Sequence, residues 1–427
     1  MAGKKSVLRR TLNARWLRWA GMRALVRAVP ALGRRYSFPL VSLRAVEQAA
    51  RVLENTTETM HIEATPEQIE SILRPAMAND LGDTSTYPQA RSLRYSQAAL
   101  LDGCDIAGHT NTILRRSDNA MLHFRNGIPD WNLAKPVRLR ERAVAPGLYV
   151  VLDRASHYFH FLSDDVAPLL HYLDRLQPPG EVLHVVFSAD AAGFKREGLK
   201  ALAKAYPSVK LLEIAADEKL TGATVLWLSR IGATHEWMPI DRAMVDKWRN
   251  ILLDHYPVPP PSARAPGRRL FIGRKGAKLR RLKNEDEIAA MLAKEGFEPF
   301  MPDANDQRSQ IEAFGAADII VAVHGAALTN LVFCRPGTSV VEIFPSNFIK
   351  SPYLWLAAKL GLKYQGFFAG NGDYWQAFDA NAQDLQRLVW RIIAETPVGL
   401  RPEGGLSKEA SLSAAPLARP PGPLEDE

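Results

Sequence analysis

Residues 318–345 combine two apolar strands with a turn of small residues that a ligand can approach closely. The segment reads DIIVAVHGAALTNLVFCRPGTSVVEIFP, and its β-branched run at 319–323 is typical of a strand buried on both faces of a parallel sheet. The turn that follows comprises His324, Gly325, Ala326, Ala327, Leu328, Thr329 and Asn330. Because small residues expose the backbone, and because the first N–H groups of a helix lack an internal acceptor, we expect this turn to bind a phosphate.

Two ionisable side chains accompany this turn, one at its start and one on the next strand. His324 lies where an imidazole can donate a hydrogen bond to a phosphate or a sugar, although a lone His is more often structural. Glu342 lies in the apolar run at 340–344, and a carboxylate in a buried strand is costly unless it is paired. Since open α/β sheets bind ligands at the carboxyl ends of their strands, Glu342 is a candidate to hold a ribose diol. The alternative is a Glu satisfied by an Arg or by backbone groups.

A basic turn lies upstream, between a short strand at 270–272 and a helix with Asn284 as predicted N-cap and Glu287 as its capping-box partner. Its cations are Arg274, Lys275, Lys278, Arg280 and Arg281. Cations at a strand end can neutralise a diphosphate as it becomes a leaving group, in place of a metal ion. The alternative, a solvated basic turn, is favoured for Lys278 and Arg280. No Asp-X-Asp pair occurs in the chain, so we expect no metal and no other cofactor.

In their order and spacing, these motifs resemble glycosyltransferase family 61. The stretches that carry the resemblance are LFIGRKGAKLRRLKNEDEI, HGAALTN and CRPGTSVVEIFP, within residues 270–368. Ala327 stands where the family usually has glycine. The donor-binding residues that the resemblance implies are Arg274, Arg281, Asn284, His324, Gly325, Ala326, Ala327, Leu328, Thr329, Asn330 and Glu342.

The resemblance also implies a fold and a biological setting. The fold class is α/β of the GT-B type, in which two Rossmann-like domains face a central cleft. The setting is the synthesis of bacterial capsular or other surface polysaccharides. Both are expectations that follow from the family and not from composition or periodicity.

A second group of candidate residues lies at 156–168, after a predicted strand and at the start of a helix, in a weaker echo of the family's N-Y-x-H-W stretch. His160 and Asp164 are four residues apart and therefore share one helical face. An inverting transfer needs a base to deprotonate the acceptor, and the candidates are His160, Asp164 and Asp165. Both aspartates are candidates because the alignment to the family's stretch can shift by one residue. One alternative is a capped helix start with a buried His. Another is a metal site at His157 and His160, which lacks a third ligand at nearby spacing.

Length and composition favour two α/β domains in a globular, soluble protein of 427 residues. Strand patterns alternate with helical patterns on both sides of a Pro-rich stretch. The predicted divisions are a basic amphipathic arm at 1–41, an acceptor-side domain at 42–256, a linker at 257–269, a nucleotide-sugar-binding domain at 270–396 and a disordered tail at 397–427. Cys104 and Cys334 offer neither a disulfide framework nor zinc-ligand spacing, so buried thiols are expected.

The positive charge is concentrated at the start of the chain. Residues 4–35 contain ten Lys and Arg and no acidic residue, which exceeds the whole formal charge of +8. A basic helix with Trp and Leu suits an anionic membrane surface, and the alternatives are packing on the catalytic body or disorder. No apolar run of membrane-spanning length and no secretory signal is evident, so we expect a cytoplasmic location, peripheral on the inner membrane face. Nucleic acid is not an expected partner, because the rest of the chain carries no basic stripe.

Together, these features predict an inverting, metal-independent glycosyltransferase, hexosyl or pentosyl, that uses a nucleotide-sugar. The resemblance favours a UDP-sugar donor and a surface-glycan or lipid-linked acceptor. One alternative is a nucleotide-sugar epimerase or phosphorylase with the same two-domain cleft. Another is a non-catalytic, membrane-docked scaffold that keeps the nucleotide fold.

Overall fold

The computed structural model describes residues 40–41, 51–61, 90–108, 112–117, 120–122, 139–152, 157–228, 242–258, 267–350 and 352–396. The predicted arm, except for its end, and the predicted tail lie outside these residues. The chain forms two compact units, Met1–Glu58 with Arg94–Ile231, and Thr59–Leu93 with Gly232–Glu427. No helix in the described part of the chain is long and apolar enough to cross a membrane.

Unit 1 is built around two six-stranded sheets with the orders β1-β6-β5-β4-β11-β7 and β10-β9-β8-β12-β3-β2. The strands are β1 Leu40–Val41, β2 Arg51–His61, β3 Ala90–Leu101, β4 Cys104–Ala107, β5 Thr112–Arg115, β6 Ala120–Leu122, β7 Arg140–Ala143, β8 Leu148–Val151, β9 Leu183–Ser188, β10 Val209–Ile214, β11 Glu218–Thr221 and β12 Thr224–Leu228. In the second sheet β10, β9, β8 and β12 are parallel, and β3 joins β12 antiparallel.

Helices connect the parallel strands of unit 1, as the alternating pattern predicts. Between β8 and β9 the chain forms α1 (Tyr158–His160), a π-helical segment (Phe161–Val166) and α2 (Ala167–Arg175) without a break. Helix α3 (Gly193–Ala205) then connects β9 to β10. The loop that enters α1 therefore follows the carboxyl end of a buried parallel strand.

Unit 2 contains one five-stranded sheet, parallel throughout, in the order β14-β13-β15-β16-β17. Its elements are α4 Arg242–His255, β13 Arg268–Ile272, α5 Glu285–Lys294, β14 Glu298–Pro299, α6 Gln307–Ala316, β15 Ala317–Val323, a 3₁₀ helix Ala326–Phe333, β16 Ser339–Pro345, α7 Pro352–Leu360, β17 Lys363–Ala369 and α8 Ala382–Glu395. Every residue of β16 is buried, which explains the apolar residues on both sides of Glu342. The sequence prediction of an α/β fold is confirmed.

The division between the units lies upstream of the predicted linker. Helix α4 belongs to unit 2, although its residues were predicted to lie in the first domain. Two of its arginines bind carbonyl groups there, Arg249 through Nε to Val332 and Arg242 through Nη1 to Lys359 at 2.7 Å. The Pro-rich composition of 257–269 predicts an interruption of the helical pattern, which is a different property from the edge of a packed unit.

The strand order of unit 2 places a crevice at one position of the sheet. The chain runs from β13 outward to β14 and then returns past β13 to β15, so the connections after β13 and β15 diverge. In open α/β sheets, ligands bind at the carboxyl ends of the strands where the order reverses in this way. The loop after β13 and the turn after β15 are the basic turn and the small-residue turn of the sequence.

Candidate binding site at the carboxyl edge of the unit 2 sheet

The small-residue turn and the basic turn meet at Gly325. Its φ of 178° and ψ of 170° are extended and open to any residue, so conformation does not demand glycine here. A Cβ at this position would lie 2.0 Å from Nη1 of Arg274, well inside contact distance. A side chain at position 325 would therefore displace the Arg274 guanidinium from its place against the backbone after β15.

The backbone of the basic turn is held by a carboxylate at the start of α5. Glu285 accepts hydrogen bonds from the backbone N of Arg274 at 2.7 Å and of Lys275 at 3.1 Å. Nε of Arg274 donates to the carbonyl of Leu279 at 3.2 Å, which closes the turn on itself. These contacts fix the side chain of Arg274 over Gly325 before any ligand is present.

Arg280 is the second cation directed toward this crevice. Its φ of 57° is in the left-handed region, and its backbone N donates to the carbonyl of Trp375 at 3.0 Å. The guanidinium lies over the ring of Phe348, 5.2 Å from the centroid. Its Nε is buried and has no hydrogen-bond partner among the described residues.

Neither Arg274 nor Arg280 forms an ion pair with a carboxylate in the described part of the chain, whereas many of its surface arginines do, such as Arg268 with Glu298. Burial, and then the charge of Arg280, lowers the pKa of Arg274 to about 10, and burial also lowers the pKa of Arg280. Even so, both guanidinium groups are charged at neutral pH. Two partly buried cations without counter-ions carry a desolvation cost that an anionic ligand would offset.

A buried hydrogen-bonded chain lies beneath these cations. Nδ1 of His324 is 2.5 Å from Oε1 of Glu342, and the hydroxyl of Tyr364 donates to Oε2 at 2.5 Å. Glu342 is completely buried. A ribose therefore cannot reach this carboxylate in the described structure. Instead of the expected contact with a ribose diol, Glu342 forms a hydrogen bond that holds the ring of His324. The sequence left open an Arg or backbone groups as partners of Glu342, and its hydrogen-bond partners are instead His324 and Tyr364.

This support determines how His324 can interact with a ligand. Burial lowers the pKa of His324, the nearby Arg280 and Arg274 act in the same direction, and Glu342 opposes them. The ring is therefore neutral at pH 7. With Nδ1 donating to Oε1 of Glu342, the neutral ring has its lone pair on Nε2. In this state Nε2 can accept a hydrogen bond but cannot donate one to a phosphate, as the sequence suggested it would.

The rest of the small-residue turn forms a 3₁₀ helix whose polar side chains face inward. Asn330 is fully buried, donates to Oε1 of Gln310 at 2.7 Å and to the carbonyl of Ala327 at 3.1 Å, and accepts from Nε2 of Gln307 at 3.3 Å. Asn330 therefore ties this helix to α6 and is not placed to contact a nucleotide. Thr329 and Leu328 are also completely buried, whereas Ala326 and Ala327 are partly exposed at the rim.

Two further residues of the predicted donor site have structural contacts instead. Arg281 is exposed, and its carbonyl accepts from the backbone N of Phe378 at 3.1 Å. Asn284 occupies the N-cap of α5 as predicted, but its side chain bonds both backbone groups of Ala380, donating at 2.8 Å and accepting at 3.0 Å. The structure thus exchanges the predicted roles of neighbouring arginines, with Arg280 directed inward and Arg281 exposed. No periodicity indicates side-chain direction in a turn with a left-handed residue.

The candidate bases of unit 1 separate into two different environments. Nδ1 of His160 lies 2.9 Å from Oδ2 of Asp164, and the hydroxyl of Ser163 donates to Oδ1 at 2.8 Å. The predicted pairing of His160 with Asp164 is present. Asp165 instead lies against the fully buried Lys195, 3.1 Å from its Nζ, and this buried ion pair removes Asp165 from the candidate bases.

The His160–Asp164 pair spans the start of the π-helical segment, where the sequence predicted an ordinary helix. Single π-helical turns are frequent at functional sites because they widen the backbone locally. The ring of His157 contacts the edge of the His160 ring at a centroid distance of 5.8 Å. No group of three His, Cys, Asp or Glu side chains that could hold a metal ion occurs in the residues that the structure describes.

Comparison with known proteins identifies a family resemblance over part of the chain. Residues 158–341 match the family model of glycosyltransferase 61. This range includes His160, Asp164 and the loops that carry Arg274, Arg280 and His324. The match supports the family assignment that the sequence motifs predicted.

Curated relatives match over shorter stretches. They include the xylan glycosyltransferase MUCI21 of Arabidopsis thaliana, 33% identical over 94 residues and 21% of this chain. In Oryza sativa subsp. japonica they include the β-1,2-xylosyltransferase XAX1, 34% identical over 24% of this chain, and the α-1,3-arabinosyltransferase XAT2, 30% identical over 25%. Each match spans 19% of the relative's length. These plant relatives give no support to the bacterial capsular subtype.

Among solved structures, the heptosyltransferase TibC in complex with ADP-D-β-D-heptose matches with a TM-score of 0.32 and 11% identity, covering 70% of this chain and 94% of that chain. The E. coli heptosyltransferase WaaC with ADP matches with a TM-score of 0.30 and 9% identity, over 58% of this chain and 100% of that chain. At these scores the likeness carries no argument about this chain.

Proposed function

We propose that this chain is a family 61 glycosyltransferase that transfers a sugar from a nucleotide-sugar donor to a glycan acceptor. The observation that carries the proposal is the pair of partly buried guanidinium groups of Arg274 and Arg280 at the switch point of the unit 2 sheet, which have no carboxylate partner among the residues that the structure describes. A diphosphate matches their charge and the fork geometry of arginine. The family match and the named activities of the relatives support the same class of substrate.

The chemistry follows from these groups. As the bond between the anomeric carbon and the diphosphate oxygen breaks, negative charge grows on the leaving group, and the two guanidinium groups stabilise it electrostatically. An acceptor hydroxyl attacks the anomeric carbon from the opposite side, which inverts its configuration, and passes its proton to a base. His160, oriented by Asp164, is the base in this proposal. The transfer is proposed to proceed without a metal ion.

The donor class is narrowed by the relatives. Their names describe xylosyl and arabinosyl transfer, so we propose a pentose on the donor and UDP as its nucleotide. In the donor complex, the lone pair on Nε2 of His324 would accept a hydrogen bond from a hydroxyl of the ribose or the transferred sugar. The acceptor is proposed to be a glycan chain, free or lipid-linked, and residues 4–35 are proposed to contact an anionic membrane surface.

The test is calorimetric titration of the purified full chain with UDP, with and without EDTA. Arg274→Ala combined with Arg280→Ala should weaken UDP binding by at least about 100-fold, because each charge-assisted contact contributes roughly 1.5–3 kcal/mol. Lys278→Ala is the matched control, since this exposed cation belongs to the same turn. It should leave the affinity close to that of the wild type.

Two outcomes would contradict the proposal. Binding of UDP that is unchanged in the double arginine variant would remove the diphosphate site from this crevice. Tight UDP binding with no release of nucleotide from any UDP-pentose in the presence of glycan acceptors would favour a non-catalytic nucleotide-binding scaffold. An epimerase would interconvert the donor sugar with no acceptor present.

A further inference from the structure

A turn after β17 exposes two aromatic side chains that the site described above does not use. This aromatic turn comprises residues 371–377. Tyr374 is 61% exposed and Trp375 57% exposed, and their rings pack edge to face with centroids 5.0 Å apart. Two adjacent aromatic rings exposed to this extent form an apolar patch, and exposed apolar patches mark sites that bind ligands or partners.

The aromatic turn is held in one conformation by its own hydrogen bonds. Oδ1 of Asp373 accepts from the backbone N of Trp375 at 2.8 Å and of Ala377 at 3.0 Å. Asn347, from the loop after β16, bonds both backbone groups of Gly372 at 2.8 Å. The two rings are therefore presented on a fixed backbone, which lowers the entropy lost when a ligand packs against them.

The aromatic turn is joined directly to the anion site. The carbonyl of Trp375 accepts from the backbone N of Arg280 at 3.0 Å, and the buried Nε of Arg280 has no hydrogen-bond partner in the described ranges. The next residues continue the contact, since Leu282 and Phe378 form a parallel bridge. A nucleoside diphosphate with its phosphates at Arg280 would thus have its nucleoside end beside the aromatic turn.

The aromatic turn suits a ligand that stacks. Oδ1 of Asp373 is occupied by backbone N–H groups, and Oδ1 of Asn371 accepts from the hydroxyl of Ser346 at 2.7 Å. The exposed ring of Trp375 is a flat surface, and a nucleobase needs only such a surface to stack on. Oε1 of Gln376 is buried and has no hydrogen-bond partner among the described residues, and every nucleobase has an N–H group that such an acceptor can bind.

We propose that the nucleobase of the donor stacks on Trp375, with Tyr374 bordering the same subsite. This inference rests on the proposed function, because it assumes that the diphosphate binds at Arg274 and Arg280. Recognition by stacking is tolerant of base identity. The subsite therefore contributes affinity for nucleotides over inorganic diphosphate and discriminates only weakly between uracil and adenine.

The experiment compares UDP, ADP and inorganic pyrophosphate by calorimetry on the wild type and on Trp375→Ala. Loss of one stacked base should weaken UDP and ADP binding by about 5- to 150-fold, while pyrophosphate binding stays unchanged. Trp375→Phe should restore most of the lost affinity. Trp390→Ala is the matched control, because Trp390 on α8 is also 50% exposed and should have no effect on either nucleotide.

Different results overturn different parts of the inference. Equal affinity of the wild type for UDP and pyrophosphate, or unchanged UDP binding in Trp375→Ala, would remove the base subsite and leave the diphosphate site intact. If Trp375→Ala raised only the KM for a glycan acceptor, the aromatic turn would be an acceptor surface, against our proposal. If the wild type bound none of the three anions, the proposed function and the base subsite would both be wrong.

Discussion

Two histidine–carboxylate pairs occupy the two units of this chain, and they differ in almost every physical respect. His160 and Asp164 are four residues apart on one helical segment, with side chains 20% and 12% exposed. His324 and Glu342 come from the ends of two neighbouring strands, with side chains 7% and 0% exposed. The first pair has access to water and the second is enclosed by aromatic rings.

The difference in burial suits each pair to a different role. A base must exchange its proton with acceptor and solvent in every turnover, which suits the partly exposed His160. The enclosed His324 is held neutral with a fixed tautomer, because Glu342 is also held by Tyr364. Such a group is suited to orienting a bound ligand. The comparison predicts that variants of the first pair change turnover and variants of the second change donor affinity.

The largest expected effect is that of His160→Ala. Loss of a general base lowers turnover by about 10²- to 10⁴-fold, while the dissociation constant for UDP should stay at the wild-type value. Steady-state kinetics for kcat and calorimetry for UDP measure the two quantities. His157→Ala is the control, because this exposed neighbour should retain most of the activity. A wild-type kcat in His160→Ala would remove the base assignment.

Glu342→Gln should have a smaller effect, and the quantity that changes should be donor affinity and not turnover. The amide nearly preserves the shape but supplies one acceptor in place of two, so either the hydrogen bond of Tyr364 reverses its direction or His324 changes to the tautomer with its proton on Nε2. We expect UDP-sugar affinity to fall roughly tenfold, corresponding to about 1.4 kcal/mol, with a lesser change in kcat. Tyr364→Phe, which leaves the contact between Glu342 and His324, should retain more of the affinity. If Glu342→Gln lowered kcat and left the UDP-sugar affinity unchanged, the His324–Glu342 pair would act in turnover and not in donor binding, against our assignment.

The smallest expected effect is on stability as a function of pH. The pKa of His324 is lowered by burial from its ordinary value of 6.5, so below that value the unfolded chain takes up a proton that the folded chain does not. The free energy of unfolding should therefore fall as pH decreases below 6.5, by at most about 1.4 kcal/mol per pH unit from this group, and level off above it. Urea unfolding at several pH values, compared with His324→Gln, measures the contribution. Identical pH slopes in both proteins would show that His324 is not held neutral.

Much of the candidate site could be predicted from the sequence where local pattern determines the structure. The apolar run before His324 gave β15, and the small residues after it gave the turn that Arg274 approaches. The pairing of His160 with Asp164 followed from helical spacing alone. Asp165, Asn330 and Glu342 could not be assigned in this way, because Lys195, Gln310 and Tyr364 lie 20 to 30 residues away in the chain.

By itself, the sequence determined the α/β class, the alternation of strands and helices on both sides of the Pro-rich stretch, and the chemical types at the ends of the strands. Those properties depend on side-chain periodicity and on turn residues that act over a few positions. Only the tertiary structure decided that Arg280 and not Arg281 turns inward, that Glu342 is enclosed, and that an exposed aromatic turn adjoins the cations. The direction of a side chain in an irregular loop depends on distant backbone partners, here Trp375 and Phe378, and no local pattern encodes them.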